Sequence, residues 1–191
     1  MIYIIMGKSA TGKDSVYAKL FKDTELGLKK IIPYTTRPIR SGEKEGEAYH
    51  FTDNDTFERL KAEGRVAEYR QYNTVHGIWT YYTVDENDDV RSPETKYVLI
   101  GTLDVYEKLR DYYGAQYVCP VYICVDDHVR LTRAINREAK QKNPSFEEVC
   151  RRYIADEHDF SKDRLKALDI TKMYMNYDID ECVANIKNDM L

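Results

Sequence analysis

Short runs rich in β-branched and aromatic residues recur along the chain, separated by stretches with the apolar spacing of helices. IYIIM (2–6), KKIIP (29–33), KYVLI (96–100), PVYICV (120–125) and KMYMNY (172–177) are predicted strands. Helices are predicted over about 13–22, 54–64, 104–113, 127–141, 145–168 and 179–189, several with charged outer faces. Strands that read as continuous apolar runs are covered on both faces. The alternation of strand and helix therefore predicts an α/β three-layer sandwich around a parallel sheet.

Two regions interrupt this rhythm. Residues 34–92 hold short alternating polar and aromatic pieces, such as AYHFTD and VAEYRQY, around one helix; they predict a small, mostly antiparallel β insertion. Residues 127–162 predict a highly charged helical pair joined by KQKNPS, where Pro144 breaks the first helix and Ser145 caps the second. The core is then expected to be assembled from 1–33, 93–126 and 163–191.

Composition narrows the picture. The 191 residues, 42% hydrophobic, suffice for one domain with a substantial core. A net charge of −4 gives no global field for nucleic acid or an anionic membrane, so an anionic ligand has to be held by local Lys and Arg clusters. Cys119, Cys124, Cys150 and Cys182 lack C-x-x-C spacing and are expected to be buried free thiols in a reducing compartment. The opening MIYIIM is shorter than a secretory or membrane-spanning segment, which points to a cytoplasmic protein. Seventeen tyrosines, several in polar segments, are expected to meet ligand or solvent as well as core.

GKSATGK (7–13) fits G-x-x-x-x-G-K between an apolar strand and an amphipathic helix, the context a phosphate-cradling loop needs. Gly7 and Gly12 let successive N–H groups turn toward one anion, and the helix adds its positive N-terminal end. The loop residues Lys8, Ser9, Ala10 and Thr11 complete the cradle, and Lys13 brings a mobile charge to the β- and γ-phosphates of ATP. Asp14 stands where a Ser or Thr hydroxyl normally reaches magnesium. Mg²⁺ accepts carboxylate oxygens and keeps several waters, so Asp14 and Ser15 are the candidate metal ligands of an altered, functional site.

The stretch YTTRPIRSGEKEGEAYHF (34–51) resembles the nucleoside-monophosphate (NMP) site of guanylate kinases, S-x-T-T-R-x-x-R-x-G-E-x-x-G-x-x-Y-x-F. Thr35, Thr36, Arg37, Arg40, Gly42, Glu43, Gly46, Tyr49 and Phe51 fall in register, and the likeness continues through Phe57, Glu63–Gly64 and Glu68–Tyr69. Two arginines three apart and a tyrosine hydroxyl can grip a phosphate dianion. A carboxylate set apart from them can accept hydrogen bonds from guanine N1–H and the exocyclic amine, a donor pair adenine lacks. The resemblance implies that Arg37, Arg40 and Tyr49 hold the acceptor phosphate, that Glu68 reads the base, and that Glu43 belongs to the same substrate site. It also implies a phosphate-loop fold with a β-rich NMP-binding insertion over 34–92 and a helical lid over 127–162.

The family's Y-Y-G-[ST] segment corresponds to HGIWTYYTV (76–84), with an extra residue and no glycine before Thr83. Tyr81, Tyr82 and Thr83 are candidates there, with the register open and Trp79 equally readable as core. Arg133 and Arg137 reproduce the lid's R-x-x-x-R spacing, which puts both on one helical face, and Arg152 matches a third lid arginine. Asn176 falls where the family has an asparagine near the donor adenine.

The third predicted strand departs from the pattern. Guanylate kinases carry D-x-D there, whereas this chain has Ile100 and Thr102; Thr102 stays a candidate substrate-binding residue by position, and Asp104 can substitute for the aspartates only if the strand end is remodelled. Asp14 could return to the site the carboxylate lost from that strand. Ribose 1,5-bisphosphate phosphokinase shares a GKDS loop and the missing aspartates, but not the full 34–51 run. Peptide-binding guanylate-kinase-like domains lose the loop lysine, which this chain keeps as Lys13. The expected reaction is Mg²⁺-dependent, ATP + (d)GMP = ADP + (d)GDP, by a monomer or homodimer without nucleic-acid or membrane partners. Catalysis is expected from alignment and charge neutralisation by Lys13, Arg37, Arg40, Arg133, Arg137 and Arg152.

Overall fold

The computed structural model describes residues 1–74, 77–92 and 94–191. His76, the first residue of the 76–84 segment, and Pro93, where the second core segment is expected to begin, lie outside the described residues. The chain runs β1 (Ile2–Met6), α1 (Lys13–Lys22), β2 (Lys29–Lys30), β3 (Tyr34–Thr35), β4 (His50–Phe51), α2 (Asn54–Ala62), β5 (Val66–Thr74), β6 (Gly77–Val84), β7 (Tyr97–Ile100) and α3 (Leu103–Tyr113). It continues through β8 (Val118–Cys124), α4 (Asp127–Glu138), α5 (Phe146–Asp159), α6 (Lys162–Ala167), β9 (Met173–Met175) and α7 (Ile179–Met190).

Five strands in the order β2-β7-β1-β8-β9 form an all-parallel sheet. Alternation within β1 explains its two covers. Ile2, Ile4 and Met6 pack with Leu103, Leu109, Leu165 and Leu168 on one face; Ile5 packs with Val16, Leu20, Cys182 and Ile186 on the other. Helices α3 and α6 thus cover one face and α1 and α7 the other, giving the three layers expected of a βα alternation.

The insertion is a separate four-stranded sheet, β4-β3-β6-β5, with β3–β6 and β5–β6 antiparallel and only β3–β4 parallel. Its small core is Phe57, Leu60, Tyr82 and Val84. It meets α3 through Ala67, which packs into the main core, and through polar contacts: Tyr112 and Tyr113 hydroxyls donate to Asp85, and Lys108 Nζ donates to the Tyr69 carbonyl at 2.6 Å.

Two expectations need correcting. The helix predicted over 145–168 breaks at Phe160–Ser161 because the buried Phe160 turns onto Tyr122 of the main core, leaving α5 and α6. Of the cysteines, all free, only Cys182 is buried; Cys150 is exposed on α5, whose polar surroundings leave no core for it.

Candidate active site

The β1–α1 loop is held in a tight cradle. Gly12 adopts φ +89°, and a β-carbon on it would meet Asn176 Nδ2 at 2.4 Å. Gly7 backs onto the Ile123 carbonyl, which a β-carbon would approach to 2.4 Å. Ala10 also has positive φ, +64°, a left-handed strain that non-glycine residues carry mainly where function over-determines the backbone.

Ser9, Ala10, Gly12, Lys13, Asp14 and Ser15 line a cavity of about 290 Å³, and Arg133, Arg137 and Arg152 close it from α4 and α5. The residues predicted as loop and lid therefore meet around one space. Gly7, Lys8 and Thr11 support it from behind: Lys8 Nζ pairs with Glu157 at 2.6 Å, and Thr11 is buried. Asn176 is buried too, donating to the Thr11 carbonyl at 2.7 Å while its own carbonyl accepts from Arg133 at 3.0 Å. In this structure it is a strut under the loop and does not line the cavity.

The lid joins the loop through an ionic knot. Ser9 N–H donates to Asp156 at 2.7 Å. Arg130, only 2% exposed, sits among Asp127, Asp156 and Glu157, 4.0 Å from the Tyr153 ring centre. Arg130→Met is expected to cost about 2 kcal/mol, less than a fully buried ion pair because Asp127 and Glu157 can rehydrate. Calorimetric melting would check this. Arg130 holds the Asp127 carboxyl below its usual range, so Asp127's share of this contribution is complete above the ordinary carboxylate pKa of about 4. That share is lost as pH falls through the depressed folded value, and the gap between variant and wild type should narrow there.

Asp14 and Ser15 are both exposed at the cavity rim. Among the described residues no three His, Cys, Asp or Glu side chains cluster as a protein-only metal cage. One carboxylate and one hydroxyl beside four cationic side chains fit Mg²⁺ bound largely through substrate phosphates and water. The third strand adds no carboxylate: β7 ends at Ile100, Thr102 is exposed and caps α3, and Asp104 in the next turn pairs with Arg164. Asp104 therefore does not substitute for the missing aspartates.

Asp14 also lines a second cavity, about 380 Å³, with Tyr17, Lys30, Pro33, Tyr49 and Ile100. Tyr49 in turn lines a third, also about 380 Å³, with Arg70, Tyr72, Trp79 and Tyr81. Asp14 thus borders both the loop cavity and the second one, and Tyr49 borders both the second and the third.

Within the insertion, Arg37 is 3% exposed and makes a two-pronged contact with Glu43, both bonds 2.9 Å. Glu43 also accepts Arg40 N–H at 2.7 Å, so it organises the arginine turn. That contact raises the Arg37 pKa, with burial opposing and the Tyr81 hydroxyl assisting. The Arg40 side chain is exposed.

Strand alternation settles which side each residue of this segment faces. Trp79, Tyr81 and Thr83 face the cavity side of β6, whereas Thr80, Tyr82 and Val84 face the other. Tyr82 is fully buried, with its hydroxyl on Thr52 at 2.7 Å, which removes it from the candidate substrate residues. A bulge between Val66 and Glu68 re-aims the strand: Val66 packs into the small core, yet Glu68 points to the cavity side opposite Thr83. The Glu68 side chain is wholly buried, and burial raises its pKa.

A phosphate loop under an arginine-bearing helical pair, with neighbouring cavities extending to a β-rich insertion, defines a phosphate-loop α/β protein. The guanylate kinase family model matches residues 1–188. The chain is 40% identical over 93 residues to a guanylate kinase of Alcanivorax borkumensis, covering 47% of this chain and 44% of that protein. It is 34% identical over 94 residues to one of Vibrio vulnificus, covering 47% and 45%. These alignments take in less than half the length of either relative. The crystal structure of guanylate kinase from Anaplasma phagocytophilum superposes with a TM-score of 0.63 at 23% identity, over 100% of this chain and 84% of that one. The chain belongs to the guanylate kinase family.

Proposed function

We propose that this protein transfers the γ-phosphoryl group of ATP to the phosphate of GMP or dGMP. One observation carries the reading: the loop cavity and two further cavities that extend to the insertion share lining residues, Asp14 and then Tyr49, a neighbouring arrangement that suits two phosphorylated ligands meeting end to end. The core of 1–33, 93–126 and 163–191 holds the donor, 34–92 the acceptor, and 127–162 closes over both. Among the described residues no helix is long and apolar enough to cross a membrane.

The donor phosphates lie on the loop amides at the N-terminal end of α1, with Lys13 beside them. The acceptor phosphate lies near Tyr49, Tyr81 and the Arg37–Arg40 turn. Arg37 reaches it by exchanging part of its Glu43 contact, or acts from behind by fixing the turn. The acceptor phosphate is itself an anionic nucleophile, so alignment and charge neutralisation carry the reaction without a covalent intermediate. Arg133, Arg137 and Arg152 supply positive charge to the transferring group and exclude water as the lid closes. Mg²⁺, held by Asp14 and Ser15, would screen the triphosphate charge.

A coupled ADP-release assay across GMP, dGMP, AMP, UMP and ribose 1,5-bisphosphate tests this reading. GMP and dGMP are expected to turn over at least about tenfold better than AMP or UMP, as expected for a site that pairs polar base groups. Turnover of the sugar bisphosphate alone would overturn it.

A further inference from the structure

Arg70 of β5 stands directly opposite Tyr81 of β6, and both line the cavity that Tyr49, Tyr72 and Trp79 complete. Tyr49 and Tyr81 belong to the acceptor-phosphate region, and their rings meet edge to face with centres 5.5 Å apart. The Arg37 guanidinium lies 5.7 Å from the Tyr49 ring centre, and the Tyr81 hydroxyl interacts with its side chain. Arg70 is close enough to Tyr49 for its charge to oppose the upward shift that burial gives the Tyr49 hydroxyl. Both tyrosines therefore have Arg37 and Arg70 as neighbours.

The two arginines differ in what they can still offer a ligand. Arg37 is 3% exposed, its two terminal nitrogens are taken by Glu43, and one of them also donates to the Pro38 carbonyl at 2.8 Å. It meets a phosphate only by giving up part of those charge-assisted bonds. Arg70 is held at one point, where its buried Nε faces Glu68 Oε2 at 3.3 Å. Among the described residues its terminal nitrogens have no hydrogen-bond partner. Glu68 cannot take them over, because its Oε1 already accepts from the Thr83 hydroxyl at 2.9 Å and its Oε2 lies against Nε. With Nε sealed off, the terminal N–H groups are what Arg70 brings to the cavity. A planar fork of donors beside tyrosine hydroxyls fits the oxygens of a phosphate dianion.

Building on the kinase reading above, we propose that Arg70 is a further ligand of the acceptor phosphate, its terminal N–H groups joining Tyr49, Tyr81 and the Arg37–Arg40 turn around the 5′-phosphate of the incoming nucleoside monophosphate. Arg70 then binds the phosphate end of that nucleotide and leaves the base to other groups. The phosphate is present in the ground state as well as during transfer, so the contact sets KM for GMP more than kcat.

The test measures calorimetric dissociation constants for GMP and for guanosine, which lacks the phosphate, in wild type, Arg70→Ala and Arg70→Lys. KM and kcat for GMP at saturating ATP are measured alongside. Arg70→Ala is expected to weaken GMP binding and raise its KM about thirtyfold, the range of a lost charge-assisted contact, while kcat and guanosine binding stay within about threefold. Arg70→Lys keeps a positive charge beside Glu68 and so preserves the fold if Arg70→Ala does not. Without the fork it should bind GMP about fivefold more weakly than wild type. Equal losses for GMP and guanosine would put Arg70 at the base or in the scaffold alone and overturn the proposal. Unchanged GMP binding in Arg70→Ala, or in Arg70→Lys if the alanine variant does not fold, would overturn it too. Where guanosine binds too weakly to read, inorganic phosphate serves as the competitor of GMP, and an affinity for it unchanged by the substitutions overturns the proposal. If wild type binds GMP without phosphorylating it, the kinase reading fails and the binding comparison still decides the role of Arg70. A wild type that binds no GMP overturns both.

Discussion

Replacing Lys13 with methionine is expected to lower kcat for ADP release by about a thousandfold or more, with much less effect on ATP binding. Lys13 opens α1 and lines the same cavity as the three lid arginines, so the change removes one of four cationic groups around that cavity. The remaining arginines do not compensate fully. Arg133 donates to the Asn176 carbonyl, and Arg152 is shared with Glu148 at 2.7 Å. Glu148 is drawn down to about 2 by Arg151 and Arg152, so that competitor stays ionised at any working pH. Methionine matches the length and apolar stem of lysine, which separates lost charge from lost packing. A thousandfold fall corresponds to about 4 kcal/mol of transition-state stabilisation. Single-turnover kinetics with calorimetric ATP binding would check the result, and a loss under tenfold would remove phosphoryl transfer from this loop.

Much of this site was legible because it depends on local spacing. Apolar strand, glycine turn and lysine at the start of a helix lie within twelve residues and fold where the pattern puts them. Arg133 and Arg137, four apart on α4, share a face by helix geometry alone. The three layers followed from the same logic, since β1 carries apolar residues on both faces.

What stayed hidden depends on long-range pairing. Arg70 reads as an ordinary polar position in a half-exposed strand; only the hairpin register sets it before Glu68 and beside Trp79. The bulge after Val66 inverts the face that simple alternation gives Glu68, and no residue in VAE announces it. Tyr81 and Tyr82 were equivalent as letters and became opposites once paired with β5, one at the cavity and one in the small core. The residue type of Asn176 does not place it; the pairing of β9 with β8 carries it under the loop, where it donates to the Thr11 carbonyl. In each case the deciding contact spans a hairpin or a crossover, and chemistry visible in the residue type could not locate it.

Asp14→Ala is expected to reduce Mg²⁺-dependent turnover by about a hundredfold at fixed Mg²⁺ and to raise the half-saturating Mg²⁺ concentration about tenfold. Two physical effects of this carboxylate oppose one another, and the outcome separates them. If Asp14 only occupies the first turn of α1, it gains from the helix dipole when the cavity is empty but repels a triphosphate. Removing it would then tighten ATP binding and leave turnover unharmed. If it is a metal ligand, its removal costs the ion one of few protein contacts, because β7 ends in Ile100 and Asp104 is turned away toward Arg164. Asp14→Ser distinguishes charge from coordination: a hydroxyl there supplies a ligand without repelling the phosphates, and it should recover most of the rate lost in the alanine variant. Initial-rate titrations of Mg²⁺ for all three proteins, with ATP affinity measured separately without metal, read both effects. Tighter ATP binding together with an unchanged Mg²⁺ titration in Asp14→Ala would leave this carboxylate with no place in the metal site.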